Sequence, residues 1–137
     1  MRLLNIYGKM VAKNVSKYKL IWDKPSRSII QFQTKQFLKP YWLGHVLFEE
    51  FPVYGSLLKV DIINFTNKIA VEVNGPQHNE FHHFHNGQPA NYLKSIKNDM
   101  QKIDWLEKNG FQVVEINHDE VAGLSREFFL KKFNITL

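Results

Sequence analysis

The stretch from Leu57 to Asn74, LLKVDIINFTNKIAVEVN, constrains this chain more than any other. Two runs rich in β-branched residues are separated only by Thr66-Asn67, and runs so spaced pair as an antiparallel hairpin around a two-residue turn. Both runs are apolar enough for the middle of a sheet. Yet each carries a carboxylate near its centre, Asp61 in the first and Glu72 in the second. Pairing about the turn sets the two acids opposite each other on one face. A buried carboxylate without a partner is expensive, and two side by side repel unless one is protonated or a cation sits between them. The pattern predicts a site where Asp61 and Glu72 hold a hard divalent ion, Mg²⁺ or Mn²⁺. The plainer alternative pairs one acid with Lys59, Lys68 or a helix residue.

Periodicity and punctuation give the rest of the order. Pro25-Ser26-Arg27-Ser28 breaks the chain, with Ser26 or Ser28 as a cap. Residues 28–39 read as a helix with Ile29, Phe32, Gln36 and Leu38 near one side, ended by Pro40. Strands are expected at 45–53, 57–65 and 68–74, forming an antiparallel meander. A loop opens at Asn79 and runs to about Pro89. Leu93, Ile96, Met100, Ile103 and Leu106 then recur at helical spacing, predicting a helix over 91–109, stopped by Asn109-Gly110. A fourth strand covers 111–116. Asn117-His118-Asp119 caps a last helix carrying Val121, Leu124, Phe128 and Phe129. The helix between the third and fourth strands lets those two run parallel. The expected fold class is α/β: a mixed four-stranded sheet in the order helix, three-strand meander, helix, strand, helix.

The 137 residues suit a single domain, 1–137. There is no cysteine, which excludes disulfides and thiolate metal sites and fits a reducing compartment. No apolar run approaches the ~20 residues of a membrane helix, and Met1–Ile6, soon followed by Lys9, is too short for a signal peptide. A soluble cytoplasmic protein is expected. The net charge is +5, unevenly spread: residues 1–40 hold nine Lys/Arg and one acid, residues 41–137 nine Lys/Arg and twelve acids. A basic segment beside a mildly acidic body points to a polyanion, with a solvated basic tail as the plain alternative. Residues 1–40 are therefore read as a basic extension for a polyanion such as nucleic acid, and as DNA-binding under the family resemblance given below. In it Lys13, Lys17 and Lys19 would contact the backbone, with Tyr18, Trp22 and Tyr41 available for stacking.

Further candidates surround the acid pair. His78 follows Glu72 by six residues, and Gly75-Pro76 can bend it back over the carboxylates, where an imidazole could serve as general base or acid. Asp99 borders the buried stripe of the 91–109 helix and could face the site; the plainer alternative is a helix-edge acid with a local partner such as Lys102. Lys102, Lys97 and Gln77 could reach a phosphate. Glu49 and Glu50 flank the centre of the first strand, and alternation does not say which points inward. His78, His82, His83 and His85 tempt a zinc assignment, but their spacing does not clearly close a tetrahedron; contact of histidines such as His85 with DNA backbone, or packing under the loop, fits better.

The ordered set, EEFPVYGSLLKVDIINFTNKIAVEVNGPQH, then FHHFH, then KNDMQKIDWLEKNGF, resembles the PD-(D/E)XK nuclease superfamily over roughly Gln36 to Phe129. Asp61 matches its first metal-binding acid and Glu72 its second. The usual lysine two residues further on is Asn74 here, and Val60 replaces the proline before Asp61. These departures resemble the very-short-patch-repair (EDxHD) branch, which uses a histidine instead. His78 matches that histidine, Asp99 the aspartate of the following helix, and Glu50, ahead of Glu49, the leading glutamate. The pattern also looks like small phage-encoded relatives, some of them homing endonucleases. The resemblance implies a restriction-endonuclease-like core and Mg²⁺-dependent hydrolysis of phosphodiester bonds in double-stranded DNA, in the host cytoplasm if the chain is phage-encoded. One compact active site would need a homodimer, or sequential nicking, to cut both strands. Competing expectations are a DNA-binding module without catalysis, a repair, restriction or junction-resolving nuclease, and an RNA-binding protein.

Overall fold

The structure is a computed structural model that describes residues 1–76 and 89–137, with side chains in the second stretch from residue 93 onward. Gln77, His78, His82, His83 and His85 lie outside the described residues. A hairpin, β1 (Arg2–Leu4) and β2 (Met10–Ala12), precedes a 3-10 turn at Ser16–Tyr18 and helix α1 (Ile29–Trp42). Then follow β3 (Leu47–Pro52), β4 (Lys59–Asn64), β5 (Ile69–Asn74), helix α2 (Pro89–Lys108), β6 (Gln112–Asn117), a 3-10 segment His118–Gly123 and helix α3 (Arg126–Phe133). The last four strands form one sheet in the order β3-β4-β5-β6. The meander β3 to β5 is antiparallel, and β6 joins β5 in parallel after α2 has carried the chain across. The mixed α/β sheet expected from the sequence is present. Among the described residues no helix is long and apolar enough to cross a membrane.

The β4–β5 register pairs Ile62 with Val71, Ile63 with Ala70 and Asn64 with Ile69. Continued one step, it sets Asp61 against Glu72. The connection is a four-residue loop, 65–68, rather than the expected two-residue turn. Asn64 Oδ1 accepts hydrogen bonds from the Thr66 and Asn67 amides at 2.9 and 3.2 Å, and Lys68 takes a φ of 59°. The loop takes one residue from each strand, so the pairing is unchanged.

Helix α1 departs from expectation twice. Ser28 caps it, its hydroxyl accepting from the Gln31 amide at 3.2 Å, but the helix runs through Pro40 to Trp42. A proline inside a helix costs about 3 kcal/mol. Burial of Trp42, 2% exposed, offsets that with roughly 4 kcal/mol at ordinary transfer values. The buried face is Gln31, Thr34, Lys35, Leu38 and Trp42, not the expected Ile29, Phe32, Gln36 and Leu38 side; Ile29 is 77% exposed. Gln31 and Lys35 can turn inward here because Glu49 on β3 accepts from both, while Thr34 donates to the Ile30 carbonyl of its own helix.

The core lies in two layers. One holds Leu38, Trp42, Ile62, Val71, Val73, Ile116 and Phe129 under α1 and α3. The other holds Phe48, Phe51, Val60, Ile63, Ala70, Trp105 and Leu106 under α2 and the N-terminal hairpin. Among the described side chains of α2, Trp105 and Leu106 are the buried ones in the second layer. Of the expected stripe, Leu106 is buried, while Leu93, Ile96 and Met100 are exposed. Trp105, not expected inside, takes their place, its indole N–H donating to the Leu4 carbonyl at 2.6 Å. The expected last helix is split: Glu120 accepts from the Asn117 amide at 2.9 Å, and Ser125 recaps the chain by accepting from the Phe128 amide at 3.0 Å.

Residues 1–20 are part of this fold. Leu3, Val15 and Leu20 are buried. The Ile6 amide donates to Tyr54 O and the Leu20 amide to Leu47 O, both at 3.0 Å. Tyr18, Trp22 and Tyr41, expected to be available for stacking, are half-buried and pack against the core.

Candidate functional site

Asp61 and Glu72 are 4% and 7% exposed at the centre of the sheet, and they interlock. The Asp61 amide donates to Glu72 Oε2 at 2.8 Å, and the Val73 amide donates to Asp61 Oδ2 at 2.8 Å. Each carboxylate thus spends one oxygen on the neighbouring strand. The other oxygen faces a cation. Arg27 Nη2 donates to Asp61 Oδ1 at 3.2 Å, and Lys102 Nζ, from α2, to Glu72 Oε1 at 2.5 Å. The two pairs differ in exposure. The Lys102 side chain is 15% exposed, whereas that of Arg27 is 64% exposed and reaches in from solvent.

The charges perturb one another. Burial, then the Asp61 charge, push the Glu72 carboxyl up to about 7, against the pull of Lys102 and of the Asp61 amide. Burial draws the Lys102 ammonium down, but the Glu72 charge and hydrogen bond, with Asp61 and Asp99, hold it above its ordinary value. Asp99 therefore acts on the site through Lys102.

Glu50 and Glu49 separate cleanly. The β3–β4 ladder pairs Glu49 with Ile62 and Phe51 with Val60, which leaves Glu50 opposite Asp61. Glu50 adopts a left-handed φ of 52°, uncommon for a residue with a Cβ. The strands turn over at this step: Phe48 and Phe51 pack in the same layer, as do Ile63 and Val60, although strict alternation would part them. The turnover brings Glu50 Oε1 within 3.5 Å of Arg27 Nε. Burial and then the Asp61 charge raise its carboxyl above the ordinary value, with Arg27 opposing. Glu49 points the other way. It accepts from Ser26 Oγ at 2.6 Å, Gln31 Nε2 at 3.0 Å and the buried Lys35 Nζ at 3.0 Å. Lys35 also donates to the Ile21 and Lys24 carbonyls at 3.0 and 2.6 Å, pinning the segment that carries Arg27.

Beside the acids lies a cleft of about 270 Å³ lined by Lys17, Lys19, Lys24, Arg27, Lys59, Glu49 and Glu50 among others. Of the lysines singled out in the sequence, Lys17 and Lys19 stand here and Lys102 stands in the site. Lys13 lines a separate groove with Trp22 and His45, its ammonium 5.1 Å from the Tyr54 ring centre. Lys97 lines a third groove, with Leu93, Ile96 and Met100 on α2. Arg27 and Lys35 were not singled out. Their contacts with Asp61 and Glu49 span 34 and 14 residues, and no local pattern announces such pairs.

Among the described residues no group of three or more His, Cys, Asp and Glu is gathered to hold a metal ion. The acid pair nevertheless fits one by its chemistry. It offers hard oxygen donors, each fixed by a backbone amide and each already turned toward positive charge. Compared with protein-family models, curated proteins and solved structures, the chain gives no match.

Proposed function

We propose that this protein is a metal-dependent DNA endonuclease with a restriction-endonuclease-like core, of the kind found among phage homing endonucleases. The observation that carries the reading is the interlocked Asp61–Glu72 pair, two carboxylates buried side by side with an oxygen each turned toward a cation. Asp61 and Glu72 would hold Mg²⁺ or Mn²⁺, with Glu50 nearest to them. When bound, the ion supplies Lewis-acid polarisation of the scissile phosphate and neutralises the charge that develops there. The chain's own groups do the rest. The Asp61 and Val73 amides hold both carboxylates in place before substrate arrives, so little reorganisation is left for the reaction itself. Lys102 keeps the Glu72 carboxylate oriented and would offer its ammonium to a phosphate oxygen. His78 would take the proton of the attacking water or return one to the leaving oxygen, with Asp99 orienting it. Lys17, Lys19, Lys24 and Lys59 would seat the flanking phosphates by charge alone.

The test is cleavage of plasmid DNA in Mg²⁺ and in EDTA. Asp61→Asn is the informative variant, because it keeps an acceptor for the Val73 amide while removing the charge. We expect Mg²⁺-dependent cleavage in the wild type and a loss of at least ~100-fold in Asp61→Asn and in His78→Ala, with duplex binding retained. Cleavage by Asp61→Asn at the wild-type rate would sink the reading.

A second reading has its own support. Both acids already own a basic partner, as in a nucleic-acid-binding module whose carboxylates are structural. That module would bind duplex with or without Mg²⁺ and cut nothing.

A further inference from the structure

Three features of Arg27 belong together. Its guanidinium bridges two acids, Asp61 Oδ1 at 3.2 Å and Glu50 Oε1 at 3.5 Å. Its side chain is 64% exposed, so this bridge is open to solvent on one side, unlike the Lys102–Glu72 pair. And the residue that completes the bridge, Glu50, sits in left-handed backbone, a conformation that persists only where its surroundings impose it. The segment bearing Arg27 is pinned from below by Lys35 at the Ile21 and Lys24 carbonyls, so the side chain can leave without the loop moving.

We propose that Arg27 is a displaceable counter-ion: it occupies the Asp61 carboxylate in the metal-free protein and competes directly with the divalent cation for Asp61 Oδ1. The proposal rests on the metal reading above. Arg27 keeps the buried acids compensated while no ion is present. Once displaced, the guanidinium is left at the mouth of a cleft with Lys17, Lys19, Lys24 and Lys59, where a phosphodiester is the anion it would next meet.

Mn²⁺ titration of the DNA-free protein, followed by the electron paramagnetic resonance signal of free Mn²⁺, tests this without reference to cleavage. Arg27→Gln removes the competitor. Lys59→Gln removes an equal charge from the same cleft. We expect Arg27→Gln to bind Mn²⁺ roughly 3- to 5-fold more tightly than the wild type, the upper scale of a partly exposed ion pair, and Lys59→Gln less than about 2-fold. Equal affinity in wild type and Arg27→Gln would overturn the proposal and leave the metal reading standing. Equal tightening in both variants would reduce Arg27 to a general field effect and overturn it too. No Mn²⁺ bound by any of the three proteins would remove the metal reading and this proposal together.

Discussion

Glu72 is the residue on which the chemistry of the site turns. Its carboxyl is raised to about 7, first by burial and then by Asp61, so between its ordinary value and about 7 the folded chain binds a proton that the unfolded chain has released. Stability contributed by this group is complete at acid pH and is lost as pH rises through about 7. We predict that, in EDTA, the melting temperature falls between pH 5 and pH 7.5 by at least about 4 °C, and that Glu72→Gln flattens this dependence. A melting temperature that rises over the same interval in the wild type, measured by differential scanning calorimetry, would show that Lys102 keeps Glu72 ionised throughout. At this scale the sequence was legible where contacts are local. The hairpin register alone set Asp61 against Glu72. The plainer alternative, one acid paired with a helix residue, is met by Lys102 on Glu72, whereas Arg27, whose contact with Asp61 crosses 34 residues, was not legible. The choice between Glu49 and Glu50 also lay beyond pattern reading, because the left-handed step at Glu50 breaks the alternation such a reading relies on.

Among the elements, α1 shows how polar burial builds the site from behind. Lys35 is fully buried yet bonded at three points, to Glu49 and to two carbonyls of the preceding segment. Removing one member of such a buried pair strands the other. Lys35→Met is expected to cost about 3–5 kcal/mol, read from the urea midpoint at constant slope. A loss below about 1 kcal/mol would mean that Ser26 and Gln31 alone satisfy Glu49. The same helix explains why its face was misread. Hydrophobic periodicity finds apolar stripes, whereas this helix buries Gln31, Thr34 and Lys35. The strands and α2 were found because β-branched runs and helical spacing are strong signals. The boundaries moved where tertiary burial outweighed a local stop signal, as Trp42 outweighs Pro40.

For the whole molecule, the basic N-terminal segment is both scaffold and surface. Its apolar residues Leu3, Val15 and Leu20 are core, while Lys13, Lys17 and Lys19 are exposed. Deleting residues 1–20 should therefore unfold the protein. Replacing Lys13, Lys17 and Lys19 by Gln should leave the melting temperature within about 3 °C, and lower the salt slope of duplex binding by up to about 2.7. A truncated chain melting cooperatively at the wild-type temperature would contradict the first expectation, and an unchanged salt slope the second. The α/β class and the order of elements follow from alternation and helical spacing summed over many residues. That the segment could pack was open in its mixture of Lys with Leu, Ile, Tyr and Trp, but which strands it meets rests on contacts far apart in the chain, such as Leu20 with Leu47. The measurement that bears most directly on the central claim is a crystal grown in Mn²⁺, with anomalous diffraction recorded at the manganese edge. The account predicts a peak within about 2.2 Å of Asp61 Oδ1 and Glu72 Oε1, with the Arg27 guanidinium withdrawn. Saturating Mn²⁺ with no peak between the two acids, and Arg27 still bonded to Asp61, would contradict it.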